Sequence, residues 1–135
     1  KNNSFEWNKA KVVTSTAGRK NPTFSITRSA YARINKRFKE KHDLKEVKSV
    51  SMRYEERDDK AIIGFRFFKE KDKGNFSVNE DERTQSLWFS VRSLFNDINI
   101  DKRKFKPQKF DPEIIPSHEG EEDIFVIEIN LKGIV

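Results

Sequence analysis

The residues with the most chemistry to offer are cations: Lys9, Lys11, Arg19 and Lys20, then Arg28, Arg33 and Arg37, then Arg53 and Arg66. Guanidinium and ammonium groups bind phosphate oxygens, Arg through a planar fork of donors and Lys as a compact charge. Between residues 28 and 41 the only acid is Glu40. Like charges three and four apart on a helix repel by a few tenths of a kcal/mol per pair, a cost that an anionic ligand removes. The net charge of +6 conceals a division: residues 1–71 carry 19 Lys and Arg against 9 Asp and Glu, a net +10, whereas residues 72–135 carry 9 against 13, a net −4. Such a split predicts one positive and one negative face.

Other chemistry has little to build on. His42 and His118 stand far apart in loop-like contexts, and there is no Cys for a disulfide, a thiolate metal site or a nucleophile. Asp58-Asp59 and Glu121-Glu122-Asp123 are carboxylate groups in turns, where solvated acids are ordinary. Glu128 and Lys132 do not match the spacing of a metal-dependent nuclease core. Phosphate-binding glycine loops, dinucleotide fingerprints, nucleophile elbows and zinc spacings are absent from the sequence. The expectation is therefore a protein that binds rather than catalyses, with no cofactor, catalytic residue or metal ligand.

The elements that would position the cations emerge from an internal repeat. Phe-Ser-Ile-Thr-Arg-Ser-Ala-Tyr-Ala-Arg-Ile-Asn, residues 24–35, returns as Phe-Ser-Val-Arg-Ser-Leu-Phe-Asn-Asp-Ile-Asn, residues 89–99. Each copy reads as a strand (24–27, 89–91) entering a helix capped by Ser29 or Ser93, since a Ser hydroxyl accepts from an orphan N–H of the first turn. The first helix is expected over residues 30–41, with Ala30, Tyr31, Ile34 and Phe38 on its buried side. Alternating segments flank both copies: 9–16 and 75–78 before them, 47–55 and 61–68 after the first, 104–110 and 124–131 after the second. Each half is then a hairpin, a helix and a hairpin.

Pairing Tyr54 with Ile63, Met52 with Phe65 and Val50 with Phe67 places these apolar residues and Ala61 on one face of the central hairpin. Residues 85–99 fit one long helix as well as a strand and a short helix; the β-favouring Leu87-Trp88-Phe89-Ser90-Val91 supports the second. Residues 124–131 read as a central strand, and Pro112 and Pro116 confine 111–122 to a loop. The predicted core includes Ile26, Ile34, Phe38, Met52, Ile63, Phe65, Leu94, Ile98, Val126 and Ile127. Twelve Phe and two Trp supply the burial that a low apolar content otherwise lacks.

Thr14, Ser15, Gly18 and Arg19 near the first turn, Ile26 in the following strand, and Arg28-Ser29-Ala30 at the strand end resemble the AbrB/MazE/SpoVT swapped-hairpin family. The resemblance covers residues 9–68, and residues 75–131 through the repeat. It departs from the family at Thr27, where the family has Pro, in a longer helix and in the inserted residues 20–23. These proteins are small DNA-binding dimers, so the resemblance implies a chain that supplies both halves itself and a first hairpin facing nucleic acid. Arg19 carries over by position.

The expectation is an α+β, β-rich single domain over residues 1–135. It is a tandem duplication of a ββαββ unit, with a basic half at 5–71 and an acidic half at 74–135, forming a pseudo-dimeric barrel-like sheet. Its expected partner is nucleic acid, DNA or RNA, held by Lys9, Lys11, Arg19, Lys20, Arg28, Arg33, Arg37, Arg53 and Arg66. The rival is a scaffold whose acidic half docks a protein. With no apolar run near the ~20 residues of a membrane span, the expected setting is cytoplasmic, without membrane.

Overall fold

A computed structural model describes residues 5–11, 21–71, 75–118 and 120–135. After a 3₁₀ turn at Trp7–Lys9 come strands β1 (Phe24–Ile26) and β2 (Tyr31–Ile34), helix α1 (Lys36–Lys41), and strands β3 (Ser49–Arg57) and β4 (Lys60–Phe68). Two short strands, β5 (Phe76–Ser77) and β6 (Asn79–Glu80), precede β7 (Leu87–Ser90), helix α2 (Arg92–Ile98), β8 (Gln108–Phe110), β9 (Glu113–Ile115) and β10 (Ile124–Asn130). The fold is α+β and strand-rich. Two antiparallel sheets form, ordered β6-β7-β2-β1-β8 and β5-β3-β4-β10-β9, and neither closes into a barrel.

The β3–β4 hairpin has the register read from its apolar alternation: Tyr54 opposite Ile63, Met52 opposite Phe65, Val50 opposite Phe67. Its turn is tighter than expected. Asp58 and Asp59 alone connect the strands, both at positive φ (49° and 63°), the backbone whose twist matches that of a two-residue hairpin. Asp is among the few non-glycine residues that adopt it at low cost.

The helix expected from Ala30 begins only at Lys36, and the chain from Thr27 to Ile34 is instead the turn and second strand of a hairpin with β1. Thr27 turns it: its carbonyl accepts from Ala30 N–H (3.1 Å), its hydroxyl from Tyr31 N–H (3.3 Å), and Ala30 takes the left-handed conformation at φ 64°. Ser29 therefore sits in a turn, while Ser93 lies inside α2, so neither is a cap. The cap of α1 is Asn35, whose Oδ1 accepts from Phe38 N–H (2.9 Å) and Thr23 N–H (2.9 Å). The two matched segments are not equivalent: Phe24 lies in β1 and Phe89 in β7, with β2 between them in the sheet.

Residues 85–99 do form a strand followed by a short helix, which ends at Asn99 in the left-handed conformation at φ 67°. Of residues 104–110 only Gln108–Phe110 is strand, and β9 occupies the space between Pro112 and Pro116 that was expected to be loop. The edge strand expected over 9–16 begins in the 3₁₀ turn, and its residues from 12 onward lie outside the described residues. Phe5 and Trp7, at the start, are exposed.

The inner faces of the two sheets meet over Phe rings. Phe65 of β4 lies 5.3 Å from Phe24 of β1 and 5.7 Å from Phe89 of β7, and Phe67 lies 5.7 Å from Phe89. From α1, Phe38 reaches both Phe24 (5.9 Å) and Phe125 (5.8 Å). All the expected core residues are buried except Met52 and Val126, which are half-buried. Val126 alternates with Phe125 and Ile127 and so faces away from the other sheet.

Strands of the two halves interleave at the centre of each sheet. β2 pairs with β7, and β4 pairs with β10, both antiparallel. Each half thus lends an inner strand to the other in both layers.

Candidate nucleic-acid interface

Alternation decides what the sheet of β6, β7, β2, β1 and β8 shows to solvent. Because Ala32, Ile34, Leu87 and Phe89 point into the core, Tyr31, Arg33, Trp88 and Ser90 point out. Register aligns Asn79, Trp88, Arg33, Ser25 and Lys109 in one row across all five strands. Tyr31 stands diagonal to Trp88, ring edge to ring face at 5.4 Å. Thr27, Ser29, Tyr31, Arg33, Asp81 and Trp88 line an open groove of about 410 Å³ on this face.

Asp81 is fixed at the groove's side, its Oδ1 accepting from Arg83 N–H (3.0 Å) while Oδ2 lies 3.9 Å from Arg33. At one end of the sheet the β2–β7 ladder continues as Val91 N–H to Ala30 C=O (2.8 Å). That bond brings Arg92 to the same end as the exposed Arg28–Ser29 turn.

The expected phosphate-binding residues are not gathered into one stripe. Arg28 and Arg33 belong to the face just described. Arg53 and Arg66 lie on the outer face of the opposite sheet, across the core. Arg37 is exposed on α1, Lys9 pairs with Glu6 at 3.2 Å, and Lys11 is exposed beyond the 3₁₀ turn. Arg19 and Lys20 lie outside the described residues.

Much of the charge division is spent inside the molecule. Lys39–Glu80 (2.6 Å), Arg33–Asp81 (3.9 Å), Lys60–Glu128 (4.0 Å) and Arg66–Glu121 (3.7 Å) each join a cation of the first half to an acid of the second. The Lys39 side chain is only 7 % exposed, so Glu80 is its essential partner. Among the described residues, Arg28, Arg53, Arg92 and Lys109 carry no such pair.

A second cavity, of about 360 Å³, opens beside His42, Val47, Phe67, Lys69, Glu122 and Phe125. Burial holds the His42 imidazole below its ordinary pKa, Lys41 adds to this and Asp123 opposes it. The ring packs on Phe38 at 4.4 Å and Phe125 at 5.3 Å, the setting of a structural histidine. No group of three or more His, Cys, Asp or Glu among the described residues is arranged to hold a metal ion.

Sequence reading missed Tyr31 and Trp88 as surface residues. A helical phase places Tyr31 on a core face, and β-propensity marks Trp88 only as strand. The signal was there in the phase: each aromatic ring alternates with smaller or more regular apolar neighbours that form the inward set. No protein-family model, curated protein or solved structure matches this chain. No helix among the described residues is long and apolar enough to cross a membrane.

Proposed function

We propose that this chain is a nucleic-acid-binding module that works by binding rather than catalysis. The observation that carries the reading is the outer face of β7, β2 and β1, where two half-buried aromatic rings flank Arg33. Aromatic rings and guanidinium groups on an open sheet are the means by which proteins hold bases and phosphates together. Arg28, Arg92 and Lys109 add cations without ion-pair partners around that face, among the described residues. Arg19 and Lys20 lie outside the described residues and enter the proposal by their charge in the sequence alone. A regulatory role on DNA, as the AbrB-like resemblance implies, and a cytoplasmic setting both fit within this proposal.

The duplication belongs to the same proposal in a corrected register. Aligning β2–α1 with β7–α2 equates Tyr31 with Trp88, Ala32 with Phe89 and Phe38 with Phe95. In support, Ala32 and Phe89 are direct cross-strand partners, as residues beside a twofold axis are. The rival, a protein docked on the acidic half, loses ground because Glu80, Asp81, Glu121 and Glu128 already face cations of the first half.

Oligonucleotide binding measured across a salt series tests the reading. Log affinity is expected to fall with log salt by about 0.9 per phosphate contact on duplex or 0.7 on single strands. Arg28→Ala with Lys109→Ala should flatten that slope by roughly one to two units. Replacing Lys102, Arg103 and Lys104, exposed in a turn of the second half, is the control. Equal losses from both sets would mean diffuse charge alone, and no binding at low salt would end the proposal.

A further inference from the structure

We infer that the Tyr31–Trp88 groove takes an unpaired base of a single strand, with the phosphate backbone running along its rim; this rests on the nucleic-acid reading above. A ring face is useful to a nucleic acid only where a base offers its own face, and in a duplex those faces are covered by neighbouring bases. Reading a duplex instead requires long polar side chains or an inserted element reaching base edges within a groove. Here the central groups are Trp88 and Tyr31, set edge to face at 5.4 Å, and both line the groove, so a ligand seated in it meets an aromatic ring.

The charge pattern then orients the strand. Asp81 lines the groove itself, so a phosphate placed there would meet a carboxylate. A base would not: its amino or imino N–H groups can donate to Asp81 Oδ2, the oxygen turned toward Arg33. Thr27 and Ser29 offer hydroxyls on the same wall, able to donate or accept. Unpaired cations stand away from the carboxylate: Arg28 and Arg92 at one end of the sheet, Lys109 at the far end of the Trp88–Arg33–Ser25 row. With strands about 4.8 Å apart, that five-strand row is roughly 19 Å long. Base in the centre and phosphates at the rim is the arrangement of a stacking platform with an electrostatic track.

The test uses the intact chain and oligonucleotides of one sequence as single-stranded DNA, single-stranded RNA and duplex DNA. Anisotropy should show at least one single strand bound ten times or more tighter than the duplex. Trp88→Ala should weaken that binding on the order of tenfold to a hundredfold, and Trp88→Phe should restore most of it. A second readout leaves the site intact. In Trp7→Phe protein Trp88 is the sole tryptophan, and saturation with the single strand should quench its emission while the duplex should not. Duplex bound as tightly as single strands, or unquenched Trp88 at saturation, overturns the single-strand inference and leaves the broader reading standing. Absence of binding to every oligonucleotide at low salt overturns both.

Discussion

The two outer faces of this molecule share one core, one alternation rule and a similar number of strands, yet they present different chemistry. Across β7, β2 and β1 the outward residues are Trp88, Arg33 and Ser25 in one row and Ser90 and Tyr31 in the next, beside a groove. Across β3, β4 and β10 they are Arg53, Gly64 and Val126 in one row and Ser51, Arg66 and Ile124 in the next. There the Ile124 side chain crowds the place a side chain at Gly64 would take, since a Cβ would stand 3.1 Å from it. Arg66 is turned to Glu121, and its Nε is buried without a hydrogen-bond partner among the described residues. What separates them is a groove walled by two rings on one side, against small and aliphatic groups between Arg53 and the committed Arg66 on the other.

The comparison breaks most severely if the sheets are not joined as described. Phe65 is fully buried and touches Phe24 and Phe89 across the layers. Phe65→Ala should cost about 3–5 kcal/mol in chemical denaturation; a loss below about 1 kcal/mol would mean the faces do not share this core. A smaller effect should fall on one face only. Asn35 caps α1, accepts from Thr23 N–H, and donates through Nδ2 to the Asn21 carbonyl (2.7 Å) at the entry to β1. Asn35→Ala should cost about 1–2 kcal/mol. In hydrogen exchange it should loosen β1 before β4; equal loosening of both would deny the faces separate stability.

The smallest effect is one of pH. The His42 pKa is lowered in the folded state, so the unfolded chain takes up a proton first as pH falls. The stability this residue contributes is complete above its ordinary pKa near 6.5 and declines below it, down to the folded value. His42→Gln should therefore lessen the fall in thermal stability between pH 7 and 5; an unaltered pH profile would remove His42 from the account.

How much of this was legible is clearest at residues 30 and 34. Four is a multiple of the strand's period and close to the helix's, so Ala30 and Ile34 satisfy both patterns. Ala32 is the arbiter, because it faces inward only in a strand, and it is fully buried. Its small size hid that signal, and the error moved the helix start, Tyr31 and the repeat's alignment together. The β3–β4 register was readable because its bulky residues repeat over both strands, so that a slip would expose them. The groove was not: the residue after β6 supplies its acid from far along the chain, and only tertiary pairing brings Asp81 to Arg33. The charge division was plain in the sequence, but its use in pairing the halves was not.

That use bears on how the chain is made. When the first half leaves the ribosome, β2 and β4 have unpaired edges, and their partners β7 and β10 follow only seconds later at ordinary synthesis rates. An open strand edge invites any other strand, including that of a neighbouring nascent copy. Two first halves, however, each carry a net +10 and repel, whereas the awaited second half carries −4 and is drawn in. The same imbalance that resembles a ligand's signature thus guards the unfinished chain against its own kind.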